Sequence, residues 1–213
     1  MYRRGISTKN RIITVAKELF RQKGYKDASV NEICNKSDTK LGTFTYYFPK
    51  KTDLLSTLYT EYMQKCIDYI DSHNSGFDPF KHHLYSVMLY YMNLYSDEEV
   101  VRFHKEVMEI ASMNQWFHNP RLLVSEFSGG ADRFEDDRTF DLYVKADNAV
   151  RRELNIDFIN QPDHSPQKIK ALVVDIYTIN AKMFDVDLDK VIDALNDAYT
   201  FAIKNHGGNI SLL

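Results

Sequence analysis

Apolar residues in this chain recur every three or four positions in stretch after stretch, and nowhere do they alternate long enough to build a sheet. Ile12, Ile13, Ala16, Leu19 and Phe20 fall on one helical face, and Leu55, Leu58, Tyr62, Cys66, Tyr69 and Ile70 on another. With five prolines in 213 residues, this periodicity confines the fold to an all-α architecture. The punctuation agrees. Ser7 or Thr8 caps a first helix, and Gly24 supplies the left-handed residue that ends it. Ser29-Val30-Asn31-Glu32 is a capping box opening a short second helix that stops near Ser37-Asp38. A third short helix spans Leu41 to Phe48, where Pro49 breaks the chain direction.

Longer helices follow. One runs from about Thr52 to Ser72. Asp78-Pro79 starts the next, and Ser96 with Glu99 reads as a second capping box. Asn119-Pro120 and residues 127–137 carry loop signals, and Phe140 to Leu154 is helical again. Ser165-Pro166 opens a helix to about Phe184, and Asp187 caps a last one that ends at Gly207-Gly208.

Charge divides the chain. Residues 1–51 hold 12 Lys/Arg against 4 Asp/Glu, a balance of +8, whereas the remaining 162 residues hold 15 against 26, a balance of −11. A compact basic segment attracts a polyanion that its acidic neighbour repels, so the two parts face different partners. No run of about 18 apolar residues occurs and the N-terminus is polar, which predicts a soluble, cytoplasmic protein without a membrane span. Cys34 and Cys66 are too few for a disulfide framework or a thiolate zinc site and read as buried side chains. His82-His83 point about 100° apart on a helix, and the acidic stretch from Asp132 to Asp141 lacks the ligand periodicity of a calcium loop. With no phosphate loop, nucleophile elbow or Cys/His dyad either, we expect no metal, no cofactor and no enzymatic activity.

The basic part ends in K-L-G-T-F-T-Y-Y-F-P-K-K, residues 40–51, where aromatic rings alternate with hydroxyls between lysines. Leu41, Phe44 and Phe48 are spaced three and four apart and form an apolar underside, which leaves Lys40, Thr43, Thr45, Tyr46 and Tyr47 facing outward. Together with I-I-T-V-A-K-E-L-F-R-Q-K-G-Y-K-D-A-S-V-N-E-I-C before it and K-K-T-D-L-L after it, this segment resembles the DNA-binding domain of the TetR family of bacterial transcriptional regulators. The resemblance implies an N-terminal three-helix helix-turn-helix domain, residues 1–51, and a larger C-terminal helical domain, residues 52–213, for effector binding and dimerisation. By matching positions, Thr43, Tyr47 and Lys51 correspond to phosphate contacts, and Lys40, Leu41, Thr45 and Tyr46 to positions that approach base edges. Three departures stand out. Asp38 occupies a position where glycine usually takes a left-handed conformation, Lys40 one where a capping serine is usual, and Thr45 one where an aromatic is common. Asp38 or Thr39 is therefore expected to cap the recognition helix instead.

The expected partners are double-stranded operator DNA, a second copy of the chain and a small-molecule effector still to be identified, and the expected role is ligand-released repression. Tyr62, Tyr69, Tyr91, Tyr95, Phe103, Met108, Trp116 and Tyr143 are candidate effector-pocket residues, because aromatic and Met-rich helices form adaptable apolar pockets; plain core packing accounts for each singly. The helices over about 165–206 are apolar on more than one side, which fits a four-helix bundle formed by two copies. A regulator whose C-terminal domain binds a partner protein, and a helical protein with a vestigial head, are the alternatives.

Overall fold

A computed structural model describes residues 2–74, 76–110, 127, 136–205 and 210–213, with side chains from residue 7 onward. Among the described residues there are nine helices and no strand: α1 (Tyr2–Asp27), α2 (Val30–Lys36), α3 (Leu41–Tyr47), α4 (Lys51–His73), α5 (Pro79–Leu94), α6 (Glu98–Met108), α7 (Asp137–Ile159), α8 (Pro166–Met183) and α9 (Leu188–Asn205). The two expected loops lie mostly outside these residues, as do Trp116 and the Gly207-Gly208 stop. None of the described helices is long and apolar enough to cross a membrane.

Helix α1 packs on α2, and α2 on α3, to make a small head. The capping box forms as its residues dictate: the Glu32 N–H donates to Ser29 Oγ at 3.1 Å, and the Ser29 N–H to the Glu32 carboxylate at 3.2 Å. Arg11 of α1 donates to the Ser37 carbonyl at 2.6 Å, satisfying an orphan acceptor at the end of α2. Asp38 follows with φ of 47°, so the left-handed turn is made without glycine.

Beyond the head, α4 leads into the body, where α5 lies against α4, α8 and α9, and α7 against α6 and α8. The head also touches the body directly through α1 and α6. One continuous apolar cluster runs from Ile12 in α1 to Leu212, with Phe20, Phe103 and Tyr62 all fully buried within it. Both cysteines are free and buried, and burial pushes the Cys66 thiol up to about 12.

Asp78 and Asp187 cap α5 and α9 as expected, accepting from the N–H groups of Lys81 and of Asp189 and Lys190. The expected capping box at Ser96 does not form. Asp97 is the cap of α6, accepting from the Glu99 and Val100 N–H groups, while Arg21 draws the Glu99 carboxylate away at 2.7 Å. An ionised carboxylate one residue nearer the helix is the stronger acceptor. Ser165 precedes α8 but makes no side-chain cap bond; Asp163 accepts from its N–H instead. Helix α7 starts three residues before Phe140 because Asp136 caps it through the Thr139 N–H.

Gly24 sits inside the span of α1 with φ 83° and ψ 177°, a backbone region open essentially to glycine alone. A Cβ there would lie 2.2 Å from a Glu106 carboxylate oxygen of α6. Gly24→Ala should therefore destabilise the protein by about 1–3 kcal/mol. Urea unfolding measures this, and an unchanged midpoint would show that the bend relaxes freely.

Between α4 and α6, the Tyr59 hydroxyl and His104 Nδ1 are 2.6 Å apart and both residues are buried. Burial lowers the His104 pKa from 6.5 to about 3. The unfolded chain thus binds a proton that the folded chain refuses, so this contribution is complete above pH 6.5 and drains away as pH falls toward 3. The loss from this residue reaches about 1.4 kcal/mol per pH unit. Unfolding free energies for the native chain and His104→Gln should diverge in slope between about pH 6 and about pH 4.5; parallel slopes would show that the histidine protonates without unfolding.

Candidate functional site

Helix α3 presents the exposed ring of Tyr46, with the exposed Lys40 immediately before the helix and Lys50 three residues after it. It begins at Lys40, whose carbonyl accepts from the Thr43 and Phe44 N–H groups, yet no side chain caps it. Thr39 is engaged instead with Ser37, their hydroxyl oxygens 2.6 Å apart, so the expected substitute cap is absent. Phe44 and Phe48 anchor the helix, both buried, with ring centroids 5.7 Å apart.

Leu41 departs from the expected underside: it is 53% exposed. Phe48 lies beyond the last helical residue with φ −137°, so the helical spacing that joined it to Leu41 does not apply. The burying face is centred on Phe44, and Leu41 turns outward. Lys40, Thr45, Tyr46 and Lys50 are exposed as well, Tyr46 at 80%, and Thr43 and Tyr47 are half-buried. The Tyr46 and Tyr47 rings meet edge to face at 5.0 Å, which stiffens both side chains. Thr45 donates its hydroxyl proton to the Leu41 carbonyl at 2.8 Å, leaving its lone pairs to face outward.

Lys51 lies apart from that surface. Its ammonium donates to the Tyr25 carbonyl at 2.5 Å and sits 4.0 Å over the Tyr25 ring, so it closes the end of α1 onto the start of α4. Burial lowers its pKa despite the nearby Glu106 and Asp27 carboxylates.

In the body, the expected pocket residues separate into several places. Phe103 stacks on Phe20 at 5.2 Å, in the joint between α6 and the head, and Tyr62 donates to the Tyr90 carbonyl at 2.7 Å in the core between α4 and α5. Tyr69 reaches the Asn205 carbonyl on α9, and the Tyr143 ring lies 5.4 Å from Phe184. Met108 is buried at the end of α6, with its carbonyl accepting from Arg152. Among the described residues only Tyr91 and Tyr95 converge, both on Asn155: Tyr95 donates to Asn155 Oδ1 at 2.6 Å, and Asn155 Nδ2 donates to the Tyr91 oxygen at 3.1 Å.

Asn155 belongs to a buried polar cluster that the expected list missed. Arg151 Nε donates to both Asp147 oxygens, at 2.8 and 2.9 Å, and Arg151 Nη2 to the Tyr177 hydroxyl at 3.1 Å. Asn180 Nδ2 donates to Asp147 Oδ1 at 2.6 Å, and His83 Nε2 is 2.6 Å from the Tyr177 hydroxyl. Burial alone would lower the Arg151 pKa, but the Asp147 carboxylate more than offsets it and the guanidinium stays charged. Burial raises Tyr177 well above the ordinary tyrosine range, so its hydroxyl stays neutral. The signal for this cluster lies in the sequence of α7. Phe140, Val144, Asp147, Arg151, Asn155 and Phe158 form one inward stripe whose three central members are polar.

Comparisons with known proteins agree with this geometry. Residues 12–58 match the family model for bacterial regulatory proteins of the tetR family. A probable HTH-type transcriptional regulator of Bacillus subtilis (strain 168), YttP, is 39% identical over 59 residues, which span 28% of this chain and 28% of that relative. Over the whole chain the likeness is one of fold. RolR, solved in complex with resorcinol, superposes with a TM-score of 0.60 at 16% identity, covering 92% of this chain and 96% of that one. TylP, a TetR regulator from Streptomyces fradiae, gives a TM-score of 0.54 at 15% identity, covering 93% of each. The head is thus similar in sequence to the DNA-binding part of the tetR family of bacterial regulatory proteins, and the full length is similar in fold to RolR and TylP.

Proposed function

We propose that this protein is a dimeric, sequence-specific DNA-binding regulator that a small molecule releases from its operator. The observation that carries the reading is the outward face of α3, where Lys40, Leu41, Thr45 and Tyr46 are exposed on a head of net charge +8. A helix of this length, anchored by Phe44 and Phe48 and polar at its tip, suits the major groove, with α2 crossing the backbone. In this reading residues 1–51 form the DNA-binding head. Thr43, Tyr47 and Lys51 contact phosphates, and Lys40, Leu41, Thr45 and Tyr46 approach base edges. Lys51 gives one of its three donors to Tyr25 and reaches a phosphate with another.

Residues 52–213 dimerise and hold the effector. The outer surfaces of α8 and α9 keep Val174, Leu188, Ile192 and Tyr199 only partly covered, with Ile203 39% exposed, and these side chains form the two-fold interface in this reading. The complex of RolR with resorcinol supports a small molecule as the effector.

Fluorescence anisotropy with labelled duplex from the region flanking the gene tests the head. Tyr47→Phe combined with Lys51→Ala should weaken binding and flatten its salt dependence by about 0.9 in log–log slope for each phosphate the variant no longer neutralises. Unchanged affinity and slope would reject the interface. Sedimentation tests the dimer: Ile192→Glu with Ile203→Glu should yield monomers, and an unaltered dimer mass would place the interface elsewhere.

A further inference from the structure

We propose that Arg11 is a positioning residue for sequence readout: its guanidinium holds the turn between α2 and α3 from the side of α1, and so fixes the angle at which α3 meets base edges. This role rests on the DNA-binding reading above and falls to a residue outside α3 and outside the contacts assigned there.

Ser37 and Asp38 make the turn, and its backbone groups are divided between two helices. The N–H groups bond back to α2: Ser37 to the Ile33 carbonyl at 2.9 Å, Asp38 to that of Asn35 at 3.3 Å, and Thr39 to that of Cys34 at 2.9 Å. The carbonyls go to α1. Arg11 Nε donates to the Ser37 carbonyl at 2.6 Å, and Nη2 to the Asp38 carbonyl at 3.3 Å. No other donor reaches either carbonyl among the described residues. Ser37 is fully buried, so its carbonyl has no water to turn to if the guanidinium leaves. Asp38 stands at φ 47°, in the left-handed region that residues with a Cβ disfavour, so the turn is not held by local preference.

Little else directs α3. The helix begins without a side-chain cap. Phe44 and Phe48 are buried beneath it and set its depth, but apolar packing is non-directional. A planar guanidinium forked onto two consecutive carbonyls is directional. An error of angle at the turn is carried along the whole helix to Tyr46. Base contacts need their groups placed to within about 0.5 Å, and they alone carry sequence information, so a loosened turn costs discrimination first.

Fluorescence anisotropy on the full chain compares a labelled duplex from the region flanking the gene with one of the same bases in scrambled order, over a salt series. Arg11→Lys keeps the charge and gives up the fork. It should lower the preference for the flanking duplex about tenfold, the effect of a hydrogen bond from a charged group. Affinity for the scrambled duplex and the slope of log affinity against log salt should match the native chain. A merely stabilising role would lower both affinities together and leave the preference intact, which overturns the inference. A phosphate contact also overturns it, and would show as a slope shallower by about 0.9 in Arg11→Gln. Should Arg11→Lys fail to fold, nitrogen NMR of the native chain decides: the Arg11 Nε–H should stay protected from exchange when the flanking duplex is added, and lost protection overturns the inference. A native preference that survives Arg11→Lys removes this inference alone; a native chain that prefers neither duplex removes the regulator reading and this inference with it.

Discussion

The end of α1 is held on α6 by hydrogen bonds to its backbone, and the placement of the head follows from them. Gly24 bends the chain so that the Lys26 N–H points at Glu106, which accepts it at 2.7 Å, and Arg102 donates to the Arg21 carbonyl at 2.6 Å. These are orphan groups of a helix end, and α6 satisfies them with side chains. Arg21 adds Asp97, Glu99 and the Ser211 hydroxyl near the C-terminus. The ion pairs among these are partly exposed and individually weak. Directionality comes from the backbone bonds and the stacked Phe20 and Phe103 rings beneath them. Head and body therefore share one core.

A second constraint sits inside the body. Asp147, Arg151, Asn155 and Asn180 occupy positions where apolar side chains would stabilise the bundle at no desolvation cost. Each is retained with its charge or amide mostly paired, so the cost of burial is contained without being removed. The neighbouring phenols add little difficulty, since burial keeps Tyr59, Tyr62, Tyr90 and Tyr95 neutral at any ordinary pH. A polar interior of this kind distinguishes among occupants by hydrogen bonding and charge. An apolar one distinguishes mainly by volume.

Local rules were readable in the residues where the deciding partner lies within a few positions. Ser29 with Glu32, Asp78 before Pro79, and the left-handed turn at Asp38 all concern backbone groups one to three residues away, and each forms. Ser96 failed as a cap because Arg21, 78 positions before Glu99, draws off the carboxylate that the box requires. Leu41 failed as an anchor: it stands at the first position of α3, 53% exposed, and Phe44 and Phe48 are buried without it. Aromatic spacing identified buried residues in α4 and α5 but could not say which helix each would face. Phe103 thus turned out to belong to the joint with α1, and Tyr62 to the core beneath α5. The polar stripe of α7 was visible as a pattern, yet its meaning depends on Tyr177 and Asn180 arriving from α8.

The same bonds restrict how any occupant of the body could influence the head. Helix α4 is tied to α1 through Lys51 and Tyr25, to α6 through Tyr59 and His104, and to α5 through Tyr62 and the Tyr90 carbonyl. Helix α6 is tied to α1 by the joint described above and to α7 through Arg152 and the Met108 carbonyl. The buried contacts along both routes are close-packed and resist gradual deformation. Under the function proposed above, α4 and α6 are the two elements through which an occupant of the body would reach the head, since these bonds join both to α1.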